Sequence, residues 1–108
     1  MKIEYEKYDP VEEYYHIFID DKFAGTFRFF KTPEFEYNKK RLYDFLGYIK
    51  IEKKYRGLGL LKRVIEDFNI KSLMAEQIDD TPKEILIKIY KKLGFNLLDD
   101  SEAFMVRQ

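Results

Sequence analysis

Residues 53–63, with the sequence KKYRGLGLLKR, combine a glycine-rich backbone with concentrated positive charge. Between residues 50 and 63, six lysines and arginines stand beside a single acid, Glu52. A turn that leads from a strand into a helix leaves main-chain N–H groups without partners, and the helix dipole adds roughly half a positive charge there. Glycine lets a bulky anion approach these groups without meeting a Cβ atom. We interpret this segment as a phosphate-binding turn, with a solvated surface turn as the alternative.

Two common nucleotide-binding patterns do not fit this segment. A Walker loop needs a Gly-Lys-Ser/Thr sequence after a longer spacer, and the sequence has none. A dinucleotide fingerprint would place a glycine at Lys62, and 108 residues are few for that fold.

The residues before the turn predict strands. Residues 14–19 and 23–30 are rich in aromatic and β-branched side chains and flank Asp20-Asp21-Lys22, which predicts a hairpin, and residues 2–8 could form a strand before it. Residues 31–41 contain a proline and many charges and are predicted to be a loop. The strand that enters the turn is predicted to carry on one side Tyr43, Phe45, Gly47, Ile49 and Ile51.

The residues after the turn predict two helices and three strands. An amphipathic helix beginning at about Gly59 is predicted from the spacing of Leu61, Val64, Ile65 and Phe68. Residues 72–78 predict a buried strand, and residues 95–98 and 103–107 a closing pair. Thr81-Pro82-Lys83-Glu84 has the pattern of a capping box and begins a second helix, which Gly94 ends. The apolar face of that helix is predicted to be Leu86, Ile89, Tyr90 and Leu93.

Length and composition favour one domain, residues 1–108, of the α/β (α+β) class. Twenty basic and twenty acidic residues cancel, so a nucleic-acid-binding surface, for which Lys39-Lys40-Arg41 would be the other candidate segment, is not expected. The sequence has no signal-peptide pattern and no apolar run of the ~20 residues that a membrane span needs. With no cysteine, we expect no disulfide and no thiolate metal site, and a cytoplasmic location.

Two motifs resemble the GNAT superfamily of N-acetyltransferases. Residues 51–59, IEKKYRGLG, are similar to the family's acyl-CoA pyrophosphate motif, R/Q-x-x-G-x-G/A, although Leu61 takes its last small position. Residues 89–95, IYKKLGF, resemble the family's L-Y-x-K-x-G-F segment on the next helix. The hairpin FIDDKFAGTF also resembles the family's second and third strands, with Gly25 at the usual glycine. The resemblance covers residues 14–107.

The resemblance implies a mixed, mostly antiparallel sheet of six to seven strands with two main helices, and acetyl-CoA (coenzyme A) as the cofactor. It implies acetyl transfer to an amine by direct attack in a ternary complex. The strand before the turn would bind the pantetheine arm through Ile49, Lys50 and Ile51. The turn would hold the pyrophosphate through main-chain N–H groups of Arg56, Gly57, Leu58, Gly59, Leu60 and Leu61. Tyr90 would be the general acid for the leaving thiolate.

One departure from the family leaves the acceptor open. Residues 9–13 alone separate the first two strands, where the family has two helices that wall the acceptor pocket. The resemblance implies an amine acceptor, and without these helices the amine could belong to a small molecule or to a protein. A second copy of the chain, in a homodimer, could close the acceptor side of the cleft. A non-catalytic acyl-CoA-binding or protein-interaction module is the alternative. No general base is evident. Asp79 and Asp80 are equally explained as loop and helix-start charges, and in a regular strand Asp44 would point to the face opposite Ile49 and Ile51, unless a bulge turned it inward.

Overall fold

The computed structural model describes residues 1–8, 13–31, 35–76 and 81–107. Its strands are β1 (Ile3–Lys7), β2 (Tyr14–Ile19), β3 (Lys22–Phe30), β4 (Phe35–Tyr37), β5 (Lys40–Leu42), β6 (Phe45–Ile51), β7 (Ser72–Met74), β8 (Phe95–Leu97) and β9 (Phe104–Arg107). Its helices are α1 (Leu60–Asp67) and α2 (Lys83–Lys92), and a single 3₁₀ turn lies at Lys53–Tyr55. No helix in these described ranges is long and apolar enough to cross a membrane.

In the part of the chain that the structure describes, seven strands form one sheet in the order β1-β2-β3-β6-β7-β9-β8, and β4 and β5 form a separate two-stranded sheet. Within the described residues, the pairing of β6 with β7 is parallel and the other pairings in this sheet are antiparallel. The parallel pair requires a crossover connection, and α1 supplies it. The predicted mixed, mostly antiparallel sheet with two helices is therefore confirmed.

The main core joins one face of the sheet to both helices. Apolar residues of α1 and α2 pack in this cluster with alternate residues of the strands, among them Phe27, Leu73 and Met105. Because successive side chains of a strand point to opposite faces, their neighbours Met74 and Phe104 belong to a second cluster on the other face. That smaller cluster lies beneath the β4–β5 hairpin.

The prediction of a loop over residues 31–41 is wrong for its second half, because β4 and β5 form a short hairpin there. Asn38 and Lys39 make its tight turn with φ angles of 52° and 65°. The Phe35 ring stacks on Phe45 with a centroid distance of 4.3 Å. Burial of aromatic rings on the sheet therefore outweighs the high local charge. Residues 32–34 lie outside the described residues.

The prediction that one side of β6 carries Phe45 together with Ile49 is also wrong. Leu46 pairs with Phe29, but Tyr48 pairs with Arg28, so Gly47 is an extra residue that forms a β-bulge. The bulge reverses the alternation, and Phe45 packs in the second cluster while Ile49 packs in the main core. The predicted Tyr43 lies before the strand and is exposed.

Three further expectations need correction. Helix α2 begins at Lys83 with Pro82 as its N-cap, and no side-chain hydrogen bond caps it, so the predicted capping box does not form. Ile89 is 37% exposed rather than part of a buried face. Strand β7 ends at Met74, whereas residues 77–78 of the predicted strand lie outside the described residues.

Gly25 is required by the close approach of β3 to β6. A Cβ atom at this position would overlap the main-chain oxygen of Lys50, which cannot move without breaking the strand pairing. We expect Gly25→Ala to lower the free energy of unfolding by about 1–3 kcal/mol, the usual cost of overpacking. Urea denaturation followed by circular dichroism measures this.

Gly47→Ala is the matched control for that substitution. A Cβ at Gly47 would lie 2.9 Å from Cε2 of Phe30, at the edge of a ring that can shift. We therefore expect a smaller loss of stability than for Gly25→Ala. Equal losses would contradict the assignment of the effect to the rigid main chain of β6.

Candidate functional site

A gap opens in the sheet where β6 and β7 separate. Among the residues that the structure describes, the two strands pair at Phe45 with Ser72 and at Leu46 with Leu73 and nowhere else. Beyond Leu46, β6 pairs only with β3 on its other side. The N–H group of Glu52 donates to the carbonyl of Ala24 in β3, so by strand alternation the main-chain groups of Ile51 and Ile49 face the gap.

The turn after β6 holds two glycines in the left-handed region. Gly57 has a φ of 82° and Gly59 a φ of 74°. A Cβ atom added at either glycine would meet nothing within 4 Å, so both face open space. Gly59 is the N-cap residue of α1, and no side chain caps the helix. The predicted helix start at about Gly59 is confirmed.

The turn presents main-chain donors at the start of α1. None of the N–H groups of residues 57–62 donates a hydrogen bond to another described residue, and the first internal bond of the helix runs from the N–H of Arg63 to the carbonyl of Gly59. The N–H of Arg56 donates to the carbonyl of Lys53 at 3.2 Å. The side chain of Arg56 turns back, and its Nε donates to the carbonyl of Ile51 at 2.9 Å. The side chain of Arg56 thus links the turn to the end of β6 by a hydrogen bond.

A cleft of about 280 Å³ lies between this turn and α2. We call it the turn cleft. It is lined by Ile49, Ile51, Tyr55, Arg56, Gly57, Gly59, Leu60, Leu61, Thr81, Leu86, Ile89 and Tyr90.

The turn cleft brings together most of the site residues predicted from the sequence. Lys50 and Leu58 do not line it: Lys50 pairs with Thr26 of β3, and Leu58 is 51% exposed on the outside of the turn. Sequence reasoning missed Tyr55, Thr81, Leu86 and Ile89 as wall residues. Tyr55 adjoins the recognised motif, and Leu86 precedes Tyr90 by one helical turn, so spacing could have indicated both.

Tyr90 is buried between two cavities. It is 2% exposed, and its ring packs edge-on against Phe95 at a centroid distance of 6.1 Å. No other described residue hydrogen-bonds its hydroxyl, and burial raises the pKa of the phenol above its ordinary value. Tyr90 lines both the turn cleft and a smaller pocket next to it. It is therefore a neutral hydrogen-bond donor at physiological pH.

The positive charge around the turn is smaller than the sequence suggested. Two ion pairs form between residues one helical turn apart on α1. The Nζ of Lys62 lies 3.9 Å from Oε1 of Glu66, and the Nε of Arg63 lies 3.1 Å from Oδ2 of Asp67. The acids that balance these cations, Glu66 and Asp67, follow residues 50–63 in the chain. The main-chain donors, rather than these side chains, are the feature of the turn best suited to an anion.

The fold of the chain is similar to that of solved acetyltransferase structures. One is a candidate streptothricin acetyltransferase from Bacillus anthracis in complex with acetyl coenzyme A, with 20% sequence identity and a TM-score of 0.52 over 86% of this chain and 58% of that one. Another is a GNAT-family acetyltransferase from Listeria monocytogenes, with 16% identity and a TM-score of 0.51 over 87% of this chain and 62% of that one. The chain has the GNAT fold.

The chain spans about three fifths of the length of these two proteins. A scan against protein-family models and a search of curated proteins each gave no match. The GNAT fold that the two motifs implied is thus confirmed by the three-dimensional comparison. At these identities the similarity establishes the fold, and the chemistry of the site is argued from the residues of this chain.

Proposed function

We propose that this chain binds acetyl-CoA in the turn cleft and transfers its acetyl group to an amine. The observation that carries the proposal is one cleft that joins unpartnered main-chain donors at a helix start to a buried, neutral tyrosine. The Bacillus anthracis structure of the same fold contains acetyl coenzyme A, which supports the choice of cofactor.

The proposed binding mode follows the cleft from the turn to Tyr90. The pyrophosphate accepts hydrogen bonds from N–H groups of residues 57–62, where the helix dipole favours negative charge. The main-chain groups of Ile49 and Ile51 that face the gap would hold the pantetheine arm. Arg56 acts as a positioning residue, because its guanidinium already holds the carbonyl of Ile51.

The proposed reaction is a direct acyl transfer. The neutral nitrogen of the acceptor attacks the thioester carbonyl, a C–N bond forms, and the C–S bond breaks as the electron pair leaves on sulfur. The nitrogen loses one proton, and the thiolate gains one to become free coenzyme A. Tyr90 donates a hydrogen bond to the developing thiolate, which its raised pKa allows because the phenol keeps its own proton at neutral pH.

Calorimetric titration with acetyl-CoA, followed by an assay of free-thiol release over a panel of amines, tests this proposal. We expect one molecule of acetyl-CoA to bind per chain and thiol to appear only when an amine is present. Absence of binding would contradict the proposed function. Binding without thiol release from any amine would favour the non-catalytic acyl-CoA-binding module, which the short connection at residues 9–13 makes the second candidate.

A further inference from the structure

A second cavity lies on the face of the sheet opposite α1 and α2. Its volume is about 350 Å³, and we call it the aromatic pocket. It is lined by Tyr14, Arg28, Phe30, Phe35, Phe45, Gly47, Tyr48 and Met74. Five of these eight residues are aromatic, and among the lining residues that the structure describes Arg28 is the one with a charged side chain.

Arg28 stands among these rings with an unused donor. It pairs across the sheet with Tyr14 on one side and Tyr48 on the other. Its guanidinium carbon lies 4.6 Å from the ring centre of Tyr14 and 4.8 Å from that of Phe30. Its Nε is buried and has no hydrogen-bond partner among the described residues.

A buried donor on a charged group is costly when it is left unpaired. Contact with aromatic faces offsets part of this cost but accepts no N–H hydrogen bond from the plane of the guanidinium. The planar fork of arginine matches a carboxylate, which accepts two parallel hydrogen bonds. The pocket is therefore suited to a carboxylate whose carbon skeleton packs on the rings.

A small pocket of about 40 Å³ shares lining residues with both this site and the turn cleft, and we call it the bridge pocket. It shares Gly47, Tyr48 and Met74 with the aromatic pocket. It shares Ile49 and Tyr90 with the turn cleft. The bulge at Gly47 makes this junction, since the extra residue there bends β6 and carries no side chain.

Glu76 also lines the bridge pocket, as Tyr90 does. Its carboxylate suits a positively charged amine and can accept the proton that the amine loses before attack. Along the line of cavities, the order of groups is a guanidinium in the aromatic pocket, a carboxylate in the bridge pocket and a phenol at the turn cleft. This order is complementary to a molecule with a carboxylate at one end and an ammonium group at the other.

We propose that the acceptor is a small amino carboxylate, with its carboxylate bound by Arg28 and its ammonium group beside Glu76. Its ammonium proton passes to Glu76, and the nitrogen then attacks the thioester near Tyr90. A small molecule is the occupant because the aromatic pocket, at about 350 Å³, lies within the size range of small-molecule sites, roughly 300–1,000 Å³. This inference rests on the proposed function for the transfer step, and on Arg28 alone for carboxylate binding.

The first test compares α- and ω-amino carboxylates of increasing length with their own carboxamides in the thiol-release assay. We expect the best carboxylate to exceed its carboxamide at least about tenfold in kcat/KM. Arg28→Met should raise KM for that carboxylate about tenfold or more, as expected for the loss of a charge-assisted pair, without changing KM for the carboxamide. A wild-type protein that does not distinguish the two would overturn the inference.

Arg107→Met is the matched control. Arg107 also lies over an aromatic ring, with its guanidinium carbon 5.4 Å from the ring centre of Phe95, but it lines none of the three cavities. We expect it to leave the preference for carboxylates unchanged. Equal loss of preference in both variants would contradict a specific role for Arg28. If Arg28→Met does not fold, Arg28→Lys keeps the charge, removes the fork and should still weaken the preference.

A second measurement separates this inference from the proposed function. Unbranched carboxylates without an amino group, from acetate to hexanoate, are titrated into the chain without cofactor, and binding is followed by NMR. Binding that Arg28→Met abolishes supports the carboxylate site, whether or not thiol is released in the transfer assay. The absence of thiol release would contradict the transfer reaction and leave the carboxylate site supported. Acetyl transfer to amines without any such binding supports the reaction and overturns the acceptor assignment.

Discussion

Replacing Tyr90 with phenylalanine is expected to lower kcat about 100-fold, the lower range for removal of one preorganised donor to developing charge. The phenol is buried, keeps its proton, and lies where the turn cleft meets the bridge pocket. Phenylalanine fills the same space, so the dissociation constant for acetyl-CoA should change by less than about twofold. Stopped assays of thiol release and calorimetric titration measure the two quantities.

Tyr55→Phe is the matched control for this substitution. Tyr55 also lines the turn cleft, but it is half-buried and lies next to the turn rather than at the bridge pocket. We expect its removal to change kcat by less than about threefold, because no charge develops beside it. Equal rates for the wild type and Tyr90→Phe would remove Tyr90 from the mechanism.

Replacing either turn glycine with alanine is expected to weaken acetyl-CoA binding at least tenfold. At Gly57 and Gly59 the backbone is left-handed, so a Cβ is strained wherever it points. The added methyl groups would also project into the open space that the pyrophosphate occupies in the proposed complex. Loss of binding should exceed loss of stability, which we expect to be about 1 kcal/mol. Titration and urea denaturation separate the two effects.

Gly94→Ala is the control for these substitutions, because it introduces the same kind of backbone strain at a left-handed glycine that does not line the turn cleft. Gly94 has a φ of 98° after α2, and a Cβ there would make ordinary contact with Arg107 at 3.5 Å. We expect a comparable loss of stability and no loss of affinity for acetyl-CoA. If the three alanine variants bind acetyl-CoA equally well, the turn is not the pyrophosphate site.

The parts of the fold that follow from local chemistry were predictable from the sequence. The hairpin turn at Asp20-Asp21 and the helix start after Gly59 depend on a few adjacent residues whose backbone preferences are strong. The same holds for the glycine turn of the site. The partnership of this turn with Tyr90, about 30 residues later, came from the resemblance of two motifs and not from periodicity.

The features that were missed depend on contacts distant in sequence. The bulge at Gly47 is visible only in the pairing of β6 with β3, and it reverses which face Phe45 occupies. The β4–β5 hairpin forms because the ring of Phe35 stacks on the ring of Phe45. No local pattern of charges and proline predicts this contact. The aromatic pocket arises from both features, so no single segment of the sequence indicates it.

The brief pairing of β6 with β7 has a consequence for stability. The sheet has four strands from β1 to β6 and three from β7 to β8, and within the described residues β6 and β7 pair at two positions. A pantetheine arm hydrogen-bonded along β6 would fill the opening between these two parts of the sheet and hold them together while it is bound. The free energy of unfolding would then depend on the concentration of acetyl-CoA. Above the dissociation constant, each tenfold increase in free acetyl-CoA would raise the free energy of unfolding by about 1.4 kcal/mol.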